Sequence, residues 1–323
     1  MRALRLACAV TLLAIAVDSR AAPAVRAVGC LQLTVADASR AERFYADVLA
    51  FSRVGEREVS DSGLAALQSL PGLRARIVRL ALGSECVDLV EFLAPKGRAK
   101  PPGERSNDLT FQHMAIAVRD MDAAYAVLRA AHVRQVSSEP QRIPRSNRAG
   151  AGIRAFYFRD PDDHNLELIW FPKGKGAPRW HTRSDSLFLG IDHTAIAVSN
   201  TARSVAFYRD RLGLRIAGES ENFGTEQEHL NAVFASRVRI TGLRAAAGPG
   251  IELLEYLAPA DGRPFPDDVR ANDATYWLTR LEASDIDSVA PGAVTVDEAA
   301  NGFRRGLVIH DPDGHALRLE ESE

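Results

Sequence analysis

A chain of 323 residues, 46% hydrophobic and 25% charged, has the composition of a soluble globular protein and is too long for one ordinary core, so two domains are expected. Its net charge of −2 argues against the broad basic surface that nucleic-acid binding through phosphates requires. Beyond the N-terminus no segment is apolar enough to span a bilayer.

The first element is a targeting signal. Arg2 and Arg5 precede the apolar run LACAVTLLAIAV (Leu6 to Val17), which is too short for a membrane span. Small residues follow, with Ser19-Arg20-Ala21 or Ala22-Pro23-Ala24 as cleavage sites. Residues 1–24 therefore read as a secretory signal peptide, and the mature protein is expected in the periplasm or secreted, free of the membrane after cleavage. Cys8 would leave with the signal. Cys30 and Cys86 would remain in an oxidising compartment where they can pair.

Next comes CLQLTV (Cys30 to Val35), an alternating strand, then a helical stretch SRAERFYADVLA (Ser39 to Ala50), then RARI (Arg74 to Ile77) and VDLVEFLAP (Val87 to Pro95). The same series returns as HTAIAV (His193 to Val198) at an offset of 193 − 30 = 163 residues, with TARSVAFYRDRLG (Thr201 to Gly213), RVRI (Arg237 to Ile240) and IELLEYLAP (Ile251 to Pro259). Each series closes on a Gly/Pro/Arg-rich linker ending in SND (Ser106 to Asp108) or AND (Ala271 to Asp273). A second pair of repeats sets HMAIAVRDMD (His113 to Asp122) against LTRLEASDID (Leu278 to Asp287), and DPDDHNLELI (Asp160 to Ile169) against DPDGHALRLE (Asp311 to Glu320). Asp120 and Asp285 stand where they can cap equivalent helices. The chain is thus four related units in two domains, 25–173 and 190–323, joined by a linker at 174–189.

Four βαβββ units with HxAIAV openings and Asp-Pro-Asp turns before a closing xLELI strand resemble the vicinal oxygen chelate superfamily of glyoxalases, bleomycin-resistance proteins, methylmalonyl-CoA epimerases and extradiol dioxygenases. The resemblance runs from about Gly29 to Glu320. It implies an α+β fold in which tandem βαβββ modules form two cup-shaped open barrels, with metal ligands on the opening and closing strands of paired units. The opening slots hold Cys30, His113, His193 and Leu278; the closing slots hold Asp88, Glu167, Glu252 and Arg318. If units pair in order, the set from units three and four fails at Leu278 and Arg318, where ring-cleaving dioxygenases would keep their metal. If units two and three pair, as the resemblance to single-chain glyoxalases implies, His113, Glu167, His193 and Glu252 converge as a metal site. Imidazole and carboxylate suit Zn, Ni, Fe, Mn or Co.

A lone strand histidine is more often a satisfied core residue than a ligand, and the matched Glu slots are what favour the metal. Arginines are the competing partners for the carboxylates, with Arg74, Arg76, Arg237, Arg239 and Arg318 as candidates and an Arg318–Asp88 pair making the outer cup metal-free. The resemblance makes β-strand neighbours of Cys30 and Cys86, so a disulfide is open to them; the alternative is two free core thiols. His164 and His315 read as surface residues of their turns, and GTEQEHLN (Gly224 to Asn231) as a solvated loop whose Glu226, Glu228 and His229 can approach a ligand.

Two functions compete. The favoured one is a metal-dependent, glyoxalase-like or epimerase-like lyase or isomerase acting on a small vicinal-oxygen substrate, with Glu167 and Glu252 moving the proton. The alternative is metal-free small-molecule binding in the manner of bleomycin-resistance proteins. Four units in one chain can supply internally the pairing that two-unit relatives gain by dimerising, so a monomer is expected.

Overall fold

The computed structural model describes residues 24–321. The expected signal peptide, Ala24 apart, lies outside the described residues, as does Cys8.

Unit one supplies β1 (Val25–Thr34), α1 (Ala38–Leu49), β2 (Ser52–Val59), α2 (Ser62–Leu67), β3 (Arg74–Leu82) and β4 (Glu85–Ala94). Unit two supplies β5 (Gln112–Val118), α3 (Met121–Ala130), the short β6 (Arg134–Gln135) and β7 (Gln141–Arg142), β8 (Arg154–Arg159) and β9 (Asn165–Trp170). A 3-10 turn, Pro178–His181, lies in the connection to unit three. Unit three contains β10 (Phe188–Ala197), α4 (Thr201–Val205), β11 (Arg215–Phe223), α5 (Thr225–Asn231), β12 (Arg237–Arg244) and β13 (Gly250–Ala258). Unit four ends the fold with β14 (Trp277–Ala283), β15 (Val294–Thr295), α6 (Glu298–Asn301), β16 (Arg305–His310) and β17 (Ala316–Glu321).

The helices follow their side chains. In α1, Asp37 accepts a hydrogen bond from the Arg40 amide, and Ala38, Ala41, Tyr45 and Leu49 form one buried stripe at helical spacing. Asn200 caps α4 in the same way, but the equivalent helix then widens into a π-helical turn at Ala206–Arg211. Unit four departs from expectation. Asp285 accepts from the Ser288 amide, but the chain makes only a turn there, and Pro291 and Gly292 soon follow. GTEQEHLN also differs, because Thr225–Asn231 forms the short helix α5 with Gln227, Leu230 and Asn231 buried.

The units pair two with three and one with four. One sheet runs β2-β3-β4-β1-β14-β17-β16-β15, and the other β11-β12-β13-β10-β5-β9-β8-β6, with β7 pairing to β8. At each centre two opening strands meet antiparallel, β1 with β14 and β5 with β10, and each opening strand runs parallel to its own unit's closing strand. The cores follow a different grouping. Leu31, Leu33, Leu80 and Leu89 of unit one pack with Met114, Ile116, Phe156 and Leu168 of unit two around α1 and α3. Ile196, Leu243 and Leu253 of unit three pack with Leu281, Leu317 and Leu319 of unit four. Burying each such Leu or Phe contributes about 1.5–3 kcal/mol. Sheets therefore join one to four and two to three, while the two largest cores join one to two and three to four, closing a ring; smaller clusters inside the cups join one to four and two to three again.

Polar contacts lock that ring. The Asp-Pro-Asp turns are not surface punctuation, and His164 and His315 are buried, contrary to the sequence reading. Asp160 accepts from the Tyr45 hydroxyl at 3.1 Å and from His164 Nδ1 at 2.9 Å, while His164 Nε2 lies 3.2 Å from the Ala274 carbonyl. Unit four repeats the device: Tyr208 donates to Asp311, and His315 Nε2 lies 2.9 Å from the Ala197 carbonyl. The two linkers clasp each other. Arg98 grips Asp273 through its amide and its guanidinium, and Arg263 grips Asp108 likewise. A Cβ on Gly97 would stand 1.6 Å from the Asn272 carbonyl oxygen, and one on Gly262 would stand 1.8 Å from that of Asn107, so only glycine permits the crossing.

Because β1 and β5 both need strands from the second half, residues 24–187 alone would carry two open central edges. That fragment is expected to dimerise or aggregate when measured by light scattering. A stable monomeric fragment would contradict the crossed pairing.

Candidate metal centre

The cup of the second sheet is where the sequence-derived ligands meet. His113 lies on β5, Glu167 on β9, His193 on β10 and Glu252 on β13, the four central strands. In the antiparallel seam His113 faces Ala195 and His193 faces Ala115. Alanine at the facing positions leaves room for the imidazoles, and Glu167 sits beside Ala115 just as Glu252 sits beside Ala195.

The resulting distances are short. Glu167 Oε2 lies 3.0 Å from His113 Nε2 and 3.3 Å from His193 Nε2, and Glu252 Oε2 lies 3.4 Å from His193 Nε2. His113, Glu167 and His193 form a tight buried trio that could hold a metal ion, while the Glu252 side chain keeps 30% of its surface exposed at the cavity wall. Among the described residues no arginine pairs with Glu167 or Glu252. Arg237 pairs with Glu221, Arg239 with Glu255 and Arg76 with Glu56, so these candidates neutralise other carboxylates.

The histidines fit a cation. His113 Nε2 and His193 Nε2 are buried and make no hydrogen bond, although both lie close to one carboxylate oxygen. Both nitrogens converge on the space beside Glu167 Oε2. A buried acceptor left so costs about 1–3 kcal/mol unless something occupies that space. Two imidazoles and a carboxylate are a donor set for a divalent first-row metal. Burial opposes ionisation of Glu167, but His113 and His193 overcome it and hold that carboxyl at about 2. Burial also opposes charge on His193, yet Glu252, Asp192 and Glu167 raise its pKa well above the usual imidazole value, so a metal must displace a proton there.

Sequence reasoning missed the support behind His193. Asp192 Oδ2 lies 3.0 Å from His193 Nδ1, and a carboxylate only accepts, so Nδ1 carries the proton and Nε2 is left as the ligand atom. Asp192 also accepts from Trp180 Nε1 at 2.6 Å and from Arg244 Nη2 at 3.0 Å. Strict alternation would put Asp192 on the opposite face from His193. The register shift between Ile191 and His193 brings the two side chains together. The irregularity has no local residue signature, although the acid beside the histidine in IDHTAIAV was a usable hint.

The site opens into a cavity of about 110 Å³ lined by Tyr157, Ser220, Gln227 and Tyr256 as well as Glu167, His193 and Glu252. It adjoins a chamber of about 320 Å³ and shares Ile143, Asn222 and Gln227 with it. Gln227 on α5, not Glu226, Glu228 or His229, reaches the inner cavity, and its Oε1 is buried without a partner. Burial, reinforced by Glu167 and Glu252, pushes the Tyr157 hydroxyl well above its ordinary pKa, so it stays protonated.

The outer cup is built differently. Cys30 and Cys86 form a disulfide, so neither thiol is a ligand. Asp88 is bound by Arg79 at 2.7 and 2.8 Å and by Arg280 at 3.0 Å. Arg318 does not pair with Asp88 as expected; its guanidinium goes to Glu320 at 2.7 Å, because Arg280 stands between it and Asp88. Leu64, Leu67, Leu278 and Phe303 fill most of the remaining space.

Comparison with known proteins identifies the fold and the family. A 2-epi-5-epi-valiolone epimerase from Actinomyces sp. is 34% identical over 160 residues, which is 48% of this chain and 85% of that protein. Glyoxalase I from Zea mays superposes with a TM-score of 0.55 at 14% identity over 92% of both chains. A putative dioxygenase from Bacillus subtilis superposes with a TM-score of 0.57 at 14% identity, covering 93% of this chain and 86% of that one. At such identities the two structures speak for the fold alone. The Glyoxalase/Bleomycin resistance protein/Dioxygenase superfamily description matches residues 27–168 and 190–319, the two repeats that build the paired cups, and the chain belongs to that superfamily.

Proposed function

We propose that the protein is a metal-dependent epimerase or isomerase that moves a proton next to a carbonyl in a small polyhydroxylated substrate. The observation that carries this reading is the pair of unpartnered imidazole nitrogens converging on Glu167, with Glu252 beside them and partly free. The likeness to 2-epi-5-epi-valiolone epimerase supports the reaction class and the choice of a hydroxy-ketone.

A divalent metal bound by His113, Glu167 and His193 would supply Lewis-acid polarisation of the substrate carbonyl. The chain's own groups supply the rest. Glu252 is the less constrained carboxylate and takes the proton from the adjacent carbon. Inversion needs a donor on the other side. Glu167 stands on the closing strand of unit two, across the central seam from the closing strand that carries Glu252, and fits that role once it swings away from His113 and His193, which hold it ionised where it stands, and takes up a proton. Tyr157, Ser220, Asn222 and Gln227 present hydroxyl and amide groups suited to a polyol. The apolar walls from Ile143, Leu230, Val238 and Leu254 exclude water around the reacting carbon. Export is part of the same proposal, since the disulfide between Cys30 and Cys86 suits an oxidising compartment.

Metal analysis tests the centre. Reconstituted wild-type protein is expected to hold one divalent ion per chain and His193→Ala to lose it. Asp192→Asn should bind about 10–100-fold more weakly through loss of ligand orientation. Wild-type protein that takes up no metal would sink the centre and favour ligand sequestration.

Exchange of substrate hydrogen with deuterium from heavy water tests the proton transfer, with 2-epi-5-epi-valiolone and related hydroxy-ketones as probes. Glu252→Gln should retain the metal and slow exchange by at least about 10²-fold. Exchange at the wild-type rate would remove Glu252 from the chemistry.

A further inference from the structure

The outer cup carries an unbalanced row of buried charge. Starting from the sheet interior, Arg79 binds Asp88, Asp88 binds Arg280, Arg280 binds Glu320, and Glu320 binds Arg318. Charges alternate along this row until Arg318, whose side chain is 6% exposed and, among the described residues, shares its carboxylate with Arg280, its remaining contacts being the neutral Gln32 Oε1 at 3.4 Å and the Phe303 ring. Beyond Arg318, across a small cavity, stands a fourth arginine, Arg57. Its Nε is buried and makes no hydrogen bond. Four guanidiniums thus face two carboxylates. Burial lowers the pKa of Arg57, Asp88 opposes that fall, and Arg79, Arg280 and Arg318 add to it by repulsion.

A second group points into the same space. Gln68 is 8% exposed, lines the cavity, and leaves Oε1 buried and unpartnered. The oxygen and nitrogen of an amide exchange places by a simple flip, so Gln68 can turn its NH₂ inward. The cavity measures about 20 Å³, room for one group the size of a water or a monatomic ion.

We propose that the outer cup binds a single halide, chloride under physiological conditions, between Arg57 and Arg318, completing the alternating row. Where the inner cup collects lone pairs for a cation, the corresponding strands of the outer cup collect N–H donors for an anion. Leaving the buried Arg318 facing the buried, unpartnered Nε of the partly exposed Arg57 is costly, and a halide removes that cost with charge-assisted hydrogen bonds.

Two measurements test the site. In crystals of the full mature protein grown with bromide replacing chloride, an anomalous peak is expected between Arg57 and Arg318. A group there without anomalous signal, such as water, overturns the proposal. In melting experiments at constant ionic strength, replacing gluconate by chloride or bromide should raise Tm of the wild type saturably, by about 2–4 °C. Arg57→Met, a partly exposed position whose loss leaves the rest of the row paired, should fold and lose the halide dependence. An unchanged halide response in Arg57→Met overturns the proposal. Because the readouts are bromide and Tm, they are independent of the metal centre.

Discussion

Everything in this molecule depends on two antiparallel seams, β5 against β10 and β1 against β14. Each seam joins units that the two largest hydrophobic cores keep apart. The seam between β5 and β10 sets the register that places His113 across from Ala195 and His193 across from Ala115. A slip of one residue would turn the slipped strand's imidazole to the opposite face of the sheet from the other, into the apolar layer where Met114 and Ile116 pack. The candidate metal centre therefore needs no dedicated loop. It is a by-product of correct strand pairing, held firm by cores that contribute most of the stability.

Much of this was legible in the residues because repetition multiplies weak signals. One histidine on a strand carries little information, but His113 and His193 occupy matching places in repeated segments, each with a glutamate in the matching closing strand. Repetition also weighed on the pairing: pairing in order gave Cys30, Asp88, His113 and Glu167 but left Leu278 and Arg318 in the other set, whereas units two and three offered two histidines and two glutamates, the arrangement that the resemblance to single-chain glyoxalases implied. What stayed hidden has physical causes. Asp192 reaches His193 through a bulge, which breaks the alternation on which sequence reasoning relies. Trp180 comes from a turn in the connecting segment, with no repeat to flag it. His164 and His315 looked exposed because Asp-Pro-Asp turns usually are, and only the packing of α1 and of the π-helical turn after α4 over them shows that they are buried.

The two cups show how few side chains invert a site on one scaffold. Gly242 faces Glu252 in the inner cup, where Arg79 faces Asp88 in the outer. Ala115 and Glu167 are neighbours in one, Arg280 and Arg318 in the other. Small residues next to carboxylates leave them free to meet a cation. Arginines at the same places consume the carboxylates and leave positive charge over. The arginines that bind Asp88, Arg79 and Arg280, lie on strands one and two places away from it in the sheet, so linear spacing gave no reason to choose them over Arg74 or Arg76.

The crossed pairing also sets an order of assembly. β1 is the first described strand, yet its seam partner β14 begins only at Trp277. The inner seam is complete once the chain has reached Ala197. Closing the shorter loop costs less entropy, so the cup with the two histidines can form while the last quarter of the chain is still arriving. Throughout that interval β1 has an unpaired edge. Its parallel partner β4 and the Cys30–Cys86 link hold it in unit one until β14 covers it. In a chain crossing a membrane N-terminus first, that staple would shield the strand most exposed to mispairing.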